Sequence, residues 1–378
     1  MPSLSRRLSG IRPSGVRELF DLAAGRPGVV NLTLGEPDAA TPPHVREAAR
    51  RALEEGFTHY TPNAGLPELR EAIAERYARD YGARVEREEV LVTQGGTQAI
   101  LEAMAAVMDE GDSVLVPTPA FVGYSGSASL LGIRAIEVET REEEGFVPTV
   151  ESLRAAADER TRALIINSPS NPTGAVYGRR AIEEMISFAV ERDLWIISDE
   201  VYEKFVYGAE FVSLSSFDED VRRRTIIVNS FSKTYAMTGW RIGYMIAPRE
   251  VVDAAVKFQM YDAVCPSSIA QRAALEALRG PQDFTSSYVS EVGRRMEYAY
   301  SRLSSMKGVR VVRPRGAFYI FPRVDAGMSS AELARALLLE EGVAVVPGSA
   351  FGRGGEGHIR LSLAASMDDI RRGLDGLE

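Results

Sequence analysis

Lysine occurs at only four positions in this 378-residue chain, Lys204, Lys233, Lys257 and Lys307, and arginine supplies nearly all the positive charge. Each lysine can therefore be weighed singly. Lys233 closes the tetrapeptide Ser230-Phe231-Ser232-Lys233 directly behind the apolar run Thr225-Ile226-Ile227-Val228, and Thr238-Gly239-Trp240-Arg241 follows. Two hydroxyls, an ammonium and a guanidinium at the end of a buried strand suit a phosphate monoester. Lys204 falls beyond a strand end, in a turn or helix start; Lys257 falls inside a helix and Lys307 before the loop glycine Gly308. None of the three follows a buried strand with hydroxyls at its end.

Three further strand ends carry chemistry. Val90–Thr93 runs into Gln94-Gly95-Gly96-Thr97 and straight into a helix, where small residues let backbone N–H groups reach an anion and the helix N-terminus favours its charge. Alone, Gly-Gly before a helix is also an ordinary turn. Ala163–Ser168 leads to Asn171-Pro172-Thr173-Gly174, a turn in which Asn could equally cap backbone. Leu194–Asp199 ends in Asp199-Glu200-Val201-Tyr202, and a carboxylate ending an apolar strand needs a cation or donors, because an unpaired buried charge is very costly. Ordinary structure explains each feature singly. Together they have one economical explanation, a phosphorylated, aromatic, nitrogen-bearing cofactor.

The elements that must position these residues alternate from about residue 90. Candidate strands are 90–93, 113–117, 133–138, 163–168, 194–199, 225–230 and 242–247, with helical periods at 98–108, 150–157, 179–192 and 251–258. Several strands are almost continuously apolar, as burial on both faces requires, which predicts a mainly parallel sheet covered by helices. In such open α/β sheets ligands gather at the carboxyl ends of the strands. From about residue 285 a long helix leads to short strands at 309–312, 317–321, 343–346 and 359–363 and a helix at 329–341, a smaller α+β texture. The expected organisation is an N-terminal arm joining the small domain (1–40), a large domain (41–284) and a small C-terminal domain (285–378).

Composition narrows the function classes. An apolar content of 45 % supports a large core, and a net charge of −9 argues against nucleic acid as the main partner. No apolar run spans a bilayer and no signal-peptide pattern follows Arg6-Arg7, so a cytoplasmic protein without membrane attachment is expected. Cys265 is the only cysteine, and His44, His59 and His358 lack ligand spacing, so no metal site is expected. Gly352-Arg353-Gly354-Gly355-Glu356-Gly357 matches the dinucleotide fingerprint G-x-G-x-x-G, but strand-like 358–363 follows where that motif needs a helix. A hairpin loop near the substrate mouth is the expectation there.

From Leu34-Gly35-Glu36-Pro37-Asp38 to His358-Ile359-Arg360-Leu361-Ser362, and most specifically over Ser230–Arg241 (S-F-S-K-T-Y-A-M-T-G-W-R), the chain resembles the class I/II aminotransferases of the fold-type I pyridoxal-phosphate superfamily. Residues 162–176, 256–266 and 344–352 look especially similar to archaeal aromatic and broad-specificity aminotransferases, within an archaeal aromatic and aspartate branch. The resemblance implies an α/β fold-type I architecture with a mainly parallel seven-stranded sheet in the large domain and a smaller α+β domain.

It also implies roles. Lys233 would carry pyridoxal 5'-phosphate as a Schiff base and shuttle a proton, Asp199 would face the pyridine nitrogen, and Asn171 and Tyr202 would bond the phenolic oxygen. Gly95, Gly96, Thr97, Ser230, Ser232 and Arg241 would hold the phosphate, and Phe121 would stack on the ring. Arg360, with Asn171 and a backbone contact from Gly35, would take the substrate α-carboxylate. Tyr60 would cross a homodimer interface to the partner's phosphate. The implied reaction is ping-pong transfer from an aromatic or broad range of amino acids to 2-oxoglutarate. Aspartate transamination and C–S β-lysis are the alternatives.

Overall fold

The computed structural model describes residues 28–378, together with Leu8 and Arg26. Most of the arm expected at 1–40 thus lies outside the described residues. Its last part begins with β1 (Val30–Asn31), which pairs in parallel with β12 (Val343–Ala344).

The central sheet has seven strands: β2 (Val90–Thr93), β3 (Ser113–Thr118), β4 (Arg134–Glu139), β5 (Thr161–Asn167), β6 (Trp195–Asp199), β7 (Thr225–Ser230) and β8 (Gly243–Ile246). Their order is β2-β8-β7-β6-β5-β3-β4, and only β8 runs antiparallel to its neighbours. The inner strands β5 and β7 are buried almost throughout, whereas the edge strand β4 is largely exposed or half-buried, with only Val138 buried. That difference is what two covered faces and a half-solvated edge demand. Apolar clusters under helices Gly96–Val107 and Arg249–Asp262 on one side, and Pro67–Tyr81 and Ser268–Arg279 on the other, supply the covers.

The reversal of β8 matters for the site. Six strands end on one edge of the sheet, and β8 begins there. Gly243 stands opposite both Thr93 and Ser230. Arg241, two residues before Gly243, is thereby delivered to the same edge.

After helix Asp283–Ser305 come β9 (Val309–Arg310), β10 (Tyr319–Ile320), β11 (Arg323–Val324), helix Ser330–Glu340, β12, β13 (Val346–Pro347) and β14 (Ile359–Ser362). The single strand expected at 343–346 is two: β12 pairs with β1 while β13 pairs with β14, because Val345 carries the chain from one sheet to another. The strands expected at 309–312 and 317–321 are shorter, two residues each. Short 3-10 turns at Gly348–Phe351 and Arg353–Gly355 join β13 to antiparallel β14, so the glycine run is a connecting loop and no dinucleotide helix follows it. Among the described residues no helix is long and apolar enough to cross a membrane.

Candidate active site

Lys233 sits in the short helix Phe231–Thr234 at the end of β7. The Ser230 hydroxyl starts that helix, accepting from the Ser232 N–H at 3.1 Å. The Lys233 Nζ donates to the Gly35 carbonyl at 2.5 Å and lies 5.9 Å from the centre of the Phe318 ring. Burial pulls the ammonium pKa down to about 8; Arg360 and Arg241 add to this, against Glu36 and Asp199. An amine of that basicity is free to act as nucleophile and base near neutral pH.

Asp199 ends β6 and is buried. Its Oδ2 accepts from the Tyr124 hydroxyl at 2.6 Å and its Oδ1 from the Val201 N–H at 3.2 Å. Burial pushes its carboxyl above the usual range in spite of those donors and of Lys233. Asn167, opposite Asp199 in the β5–β6 register, donates Nδ2 to the Asp199 carbonyl at 3.2 Å and accepts the Asn171 N–H at 3.0 Å. Sequence reasoning passed over Tyr124 and Asn167. The signal for Asn167 was present, a polar residue closing an apolar strand; Tyr124 had none beyond its place three residues after Phe121.

At the helix start, Gly95 has φ +85° and helix Gly96–Val107 has no side-chain cap, leaving its first N–H groups to the cavity. A Cβ on Gly95 would come within 2.8 Å of Arg241 Nη2, and one on Gly243 within 2.7 Å of the Gly95 carbonyl carbon. The glycines therefore keep a narrow cradle open. Arg241 (φ +52°) donates Nη1 to the Thr238 carbonyl at 2.9 Å, and the Ser230 and Ser232 hydroxyls lie 2.8 Å apart.

Arg360 comes from β14 and is 4 % exposed. Its Nη1 donates to Asn171 Oδ1 at 3.0 Å and its Nη2 to the Thr33 carbonyl, while Nε is buried without a partner. The guanidinium carbon lies 4.4 Å from the Tyr319 ring centre and 4.9 Å from that of Phe351. Among the described residues no carboxylate pairs with it. A buried, half-satisfied guanidinium facing a cavity is a receptor for an anion.

One cavity of about 520 Å3 collects these groups, a volume suited to a small ligand. It is lined by Gly35, Gly96, Thr97, Phe121, Asn171 and Asp199, and by Tyr202, Ser230, Ser232, Lys233, Arg241 and Arg360. Gly95 stands just behind it against Arg241. Tyr60 does not line it: the side chain is 86 % exposed, on a loop tied to the end of helix Arg249–Asp262 by Asn63 Nδ2 donating to the Val264 carbonyl at 2.7 Å. Lys204 pairs with Asp80 at 2.8 Å, away from the cavity.

The model of the family described as aminotransferase class I and II matches residues 27–377. The chain is 46 % identical to an aspartate aminotransferase of Pyrococcus abyssi and 45 % identical to aromatic-amino-acid aminotransferase 2 of Thermococcus litoralis, covering 100 % of this chain and 97 % of each relative. The solved aspartate aminotransferase from Thermus thermophilus with maleate superposes with a TM-score of 0.94 at 42 % identity, over 100 % of this chain and 99 % of that one. Members of this family depend on pyridoxal phosphate, and the cavity fits that group: an amine of lowered basicity, a buried acid in no ion pair among the described residues, and a glycine-lined helix start beside an arginine and two hydroxyls. The chain belongs to the class I and II aminotransferases, pyridoxal-phosphate-dependent enzymes of fold-type I that transfer amino groups.

Proposed function

We propose that the enzyme moves the α-amino group of aromatic and other large apolar amino acids to 2-oxoglutarate by a ping-pong sequence, the first oxo acid leaving before the second enters. The observation that carries the reading is Arg360, a buried cation without a carboxylate partner, sharing one cavity with Lys233. Pyridoxal phosphate, when bound, supplies a carbonyl carbon for the amino group and a ring that accepts electrons from Cα.

The side chains do the rest. Lys233 Nζ takes the Cα proton and returns it. The Asp199 carboxylate keeps a proton on the ring nitrogen, oriented by Tyr124. Asn171 and Tyr202 bond the phenolic oxygen, Phe121 covers the ring, and Gly95, Gly96, Thr97, Ser230, Ser232 and Arg241 hold the phosphate. Arg360 takes the α-carboxylate, helped by Asn171 and the backbone of Gly35. In the same reading residues 41–284 form the cofactor-binding domain. Residues 285–378, with the arm 1–40, form the smaller domain that carries Arg360. A cytoplasmic location goes with it.

The preference for apolar donors is supported by the apolar part of the remaining wall, Leu34, Ile100, Val122 and Phe351, and by the cations Lys233, Arg241 and Arg360 each having another task. Aspartate is the second reading, favoured by the similarity to the Pyrococcus abyssi and Thermus thermophilus enzymes. A donor screen with 2-oxoglutarate separates them. We expect kcat/KM for phenylalanine and tyrosine to exceed that for aspartate, and a tenfold preference for aspartate overturns the assignment. Pyruvate and ammonia released from cystathionine without added oxo acid would instead mark a β-lyase.

The homodimer belongs to the proposal as well. Tyr60, Met260, Tyr261 and Val264 are each exposed; the Asn63–Val264 bond holds the Tyr60 loop against the end of helix Arg249–Asp262, and Asp262 accepts from Gln98 Nε2 at 2.7 Å, which supports an exposed patch beside the start of helix Gly96–Val107. A partner covering that patch would receive Tyr60.

Arg360→Lys tests the carboxylate site. A point ammonium cannot reproduce the two-pronged contact, so KM for every donor should rise roughly 10- to 100-fold, the loss of a charged hydrogen bond. The visible absorbance of the bound cofactor should stay as in wild type. An unchanged KM removes Arg360 from the site.

A further inference from the structure

We propose that Tyr319 is a positioning residue that links the carboxylate-binding arginine to the hydroxyl of Tyr202; the inference rests on the site reading above and concerns a side chain to which that reading gives no role. Tyr319 is buried, and its hydroxyl lies 2.8 Å from that of Tyr202. Its ring lies 4.4 Å beneath the Arg360 guanidinium carbon. The sheet explains that stacking: Tyr319 pairs with Ser362 across β10 and β14, which makes Arg360 its diagonal neighbour on the same face.

The third contact is with Gly35. A Cβ there would fall 2.0 Å from the Tyr319 oxygen, so the hydroxyl presses on bare backbone. The carbonyl of that same Gly35 accepts from Lys233. One phenol therefore touches the partner of Lys233, the hydroxyl of Tyr202 and the face of Arg360.

The two ends of the side chain have separable tasks. Either hydroxyl of this pair can donate; with the cofactor bound, the Tyr319 hydroxyl, polarised by the cation over its ring, would donate to the Tyr202 oxygen, keep the Tyr202 proton directed at the cofactor's phenolic oxygen and strengthen that donation. The ring supports the guanidinium in the plane where a carboxylate meets it. Removing the hydroxyl would weaken Tyr202 as a donor, and Lys233 Nζ, when it carries the cofactor, would then hold its proton to higher pH. Removing the ring frees Arg360.

The test uses holoenzyme reconstituted with pyridoxal phosphate, with the pH midpoint of its visible absorbance and the Kd for maleate as readouts. Tyr319→Phe should shift the midpoint upward by about half a pH unit, a typical net hydrogen bond's worth, and leave maleate binding unchanged. Tyr319→Leu should shift the midpoint likewise and also weaken maleate by about three- to fivefold, the loss of a cation–π contact. A wild-type midpoint in Tyr319→Phe overturns the proposal, and that variant alone decides because it keeps every carbon atom in place. Failure of the underlying site reading looks different: Lys233→Ala would then retain the wild-type pH-dependent absorbance.

Discussion

Lys233→Ala lowers kcat by about 10,000-fold or more, at saturating donor and acceptor, while the protein still folds. On the proposed reading the variant loses the nucleophilic amine and the general base together, where proton transfer alone contributes typically 10²–10⁴-fold. No other lysine replaces it. Lys204 is held by Asp80 at 2.8 Å, Lys257 lies on helix Arg249–Asp262, and Lys307 follows helix Asp283–Ser305. The measurement is the steady-state rate with the best donor and 2-oxoglutarate, and a variant with undiminished turnover ends the assignment of Lys233.

Stability should move the other way. The Lys233 pKa in the folded apoprotein is about 8, below the ordinary 10.5. Between those values the unfolded chain holds a proton that the folded chain has released, so stability rises with pH across that window. Below pH 8 the folded state bears the full cost of a cation buried near Arg360 and Arg241. Alanine removes that cost. Apo Lys233→Ala should therefore unfold at no lower urea concentration than apo wild type at pH 7, with a flatter response between pH 8 and 10.

Much of this arrangement was legible because strand ends in an open α/β sheet are also ligand positions. The continuous apolar runs of β5 and β7 marked buried strands, and the residues just beyond them had to face one edge. Lysine scarcity then singled out Lys233. The residues that sequence reasoning passed over owe their places to other parts of the chain. Asn167 reaches Asp199 through the β5–β6 register, Tyr319 reaches Arg360 as a cross-strand diagonal, and Tyr124 reaches Asp199 from a helix start 75 residues earlier. The polar end of an apolar strand marks Asn167 locally, but nothing local to these residues says which neighbours they will meet. The division of 343–346 into two strands has the same origin, since an apolar run does not say which of two sheets each residue will join.

A second large effect lies behind the cavity. Glu203→Gln destabilises the protein by about 3 kcal/mol, the lower end of what breaking a buried ion pair costs. Arg76, on helix Pro67–Tyr81, and Glu203, in the turn after β6, are 3 % and 0 % exposed at their side chains and in direct contact. Tyr81 donates its hydroxyl to the same carboxylate, and Arg76 Nη1 donates to the Tyr244 hydroxyl at 2.8 Å. Neutralising Glu203 leaves the guanidinium buried with one remaining acid, Asp80, whose Oδ2 is 3.4 Å from Arg76 Nε and already holds Lys204. That partial rescue is why the lower end applies.

The same network touches the site at two places. Glu203 directly follows Tyr202. Asn229, which bonds the Tyr77 hydroxyl through Nδ2 at 3.3 Å, accepts the Ser230 N–H through its Oδ1 at 2.7 Å. Loosening the pair should therefore release pyridoxal phosphate more readily, as well as lowering the urea midpoint at fixed protein concentration. Replacing both members with apolar residues, Arg76→Met with Glu203→Leu, removes the unpaired charge and should recover most of the stability. It should not restore the hold on Tyr202, because the contact that fixed the turn is gone. A single variant that unfolds with wild type would show that the burial of this pair carries no energetic weight, and a double variant no more stable than the single would show that the loss does not come from the unpaired guanidinium.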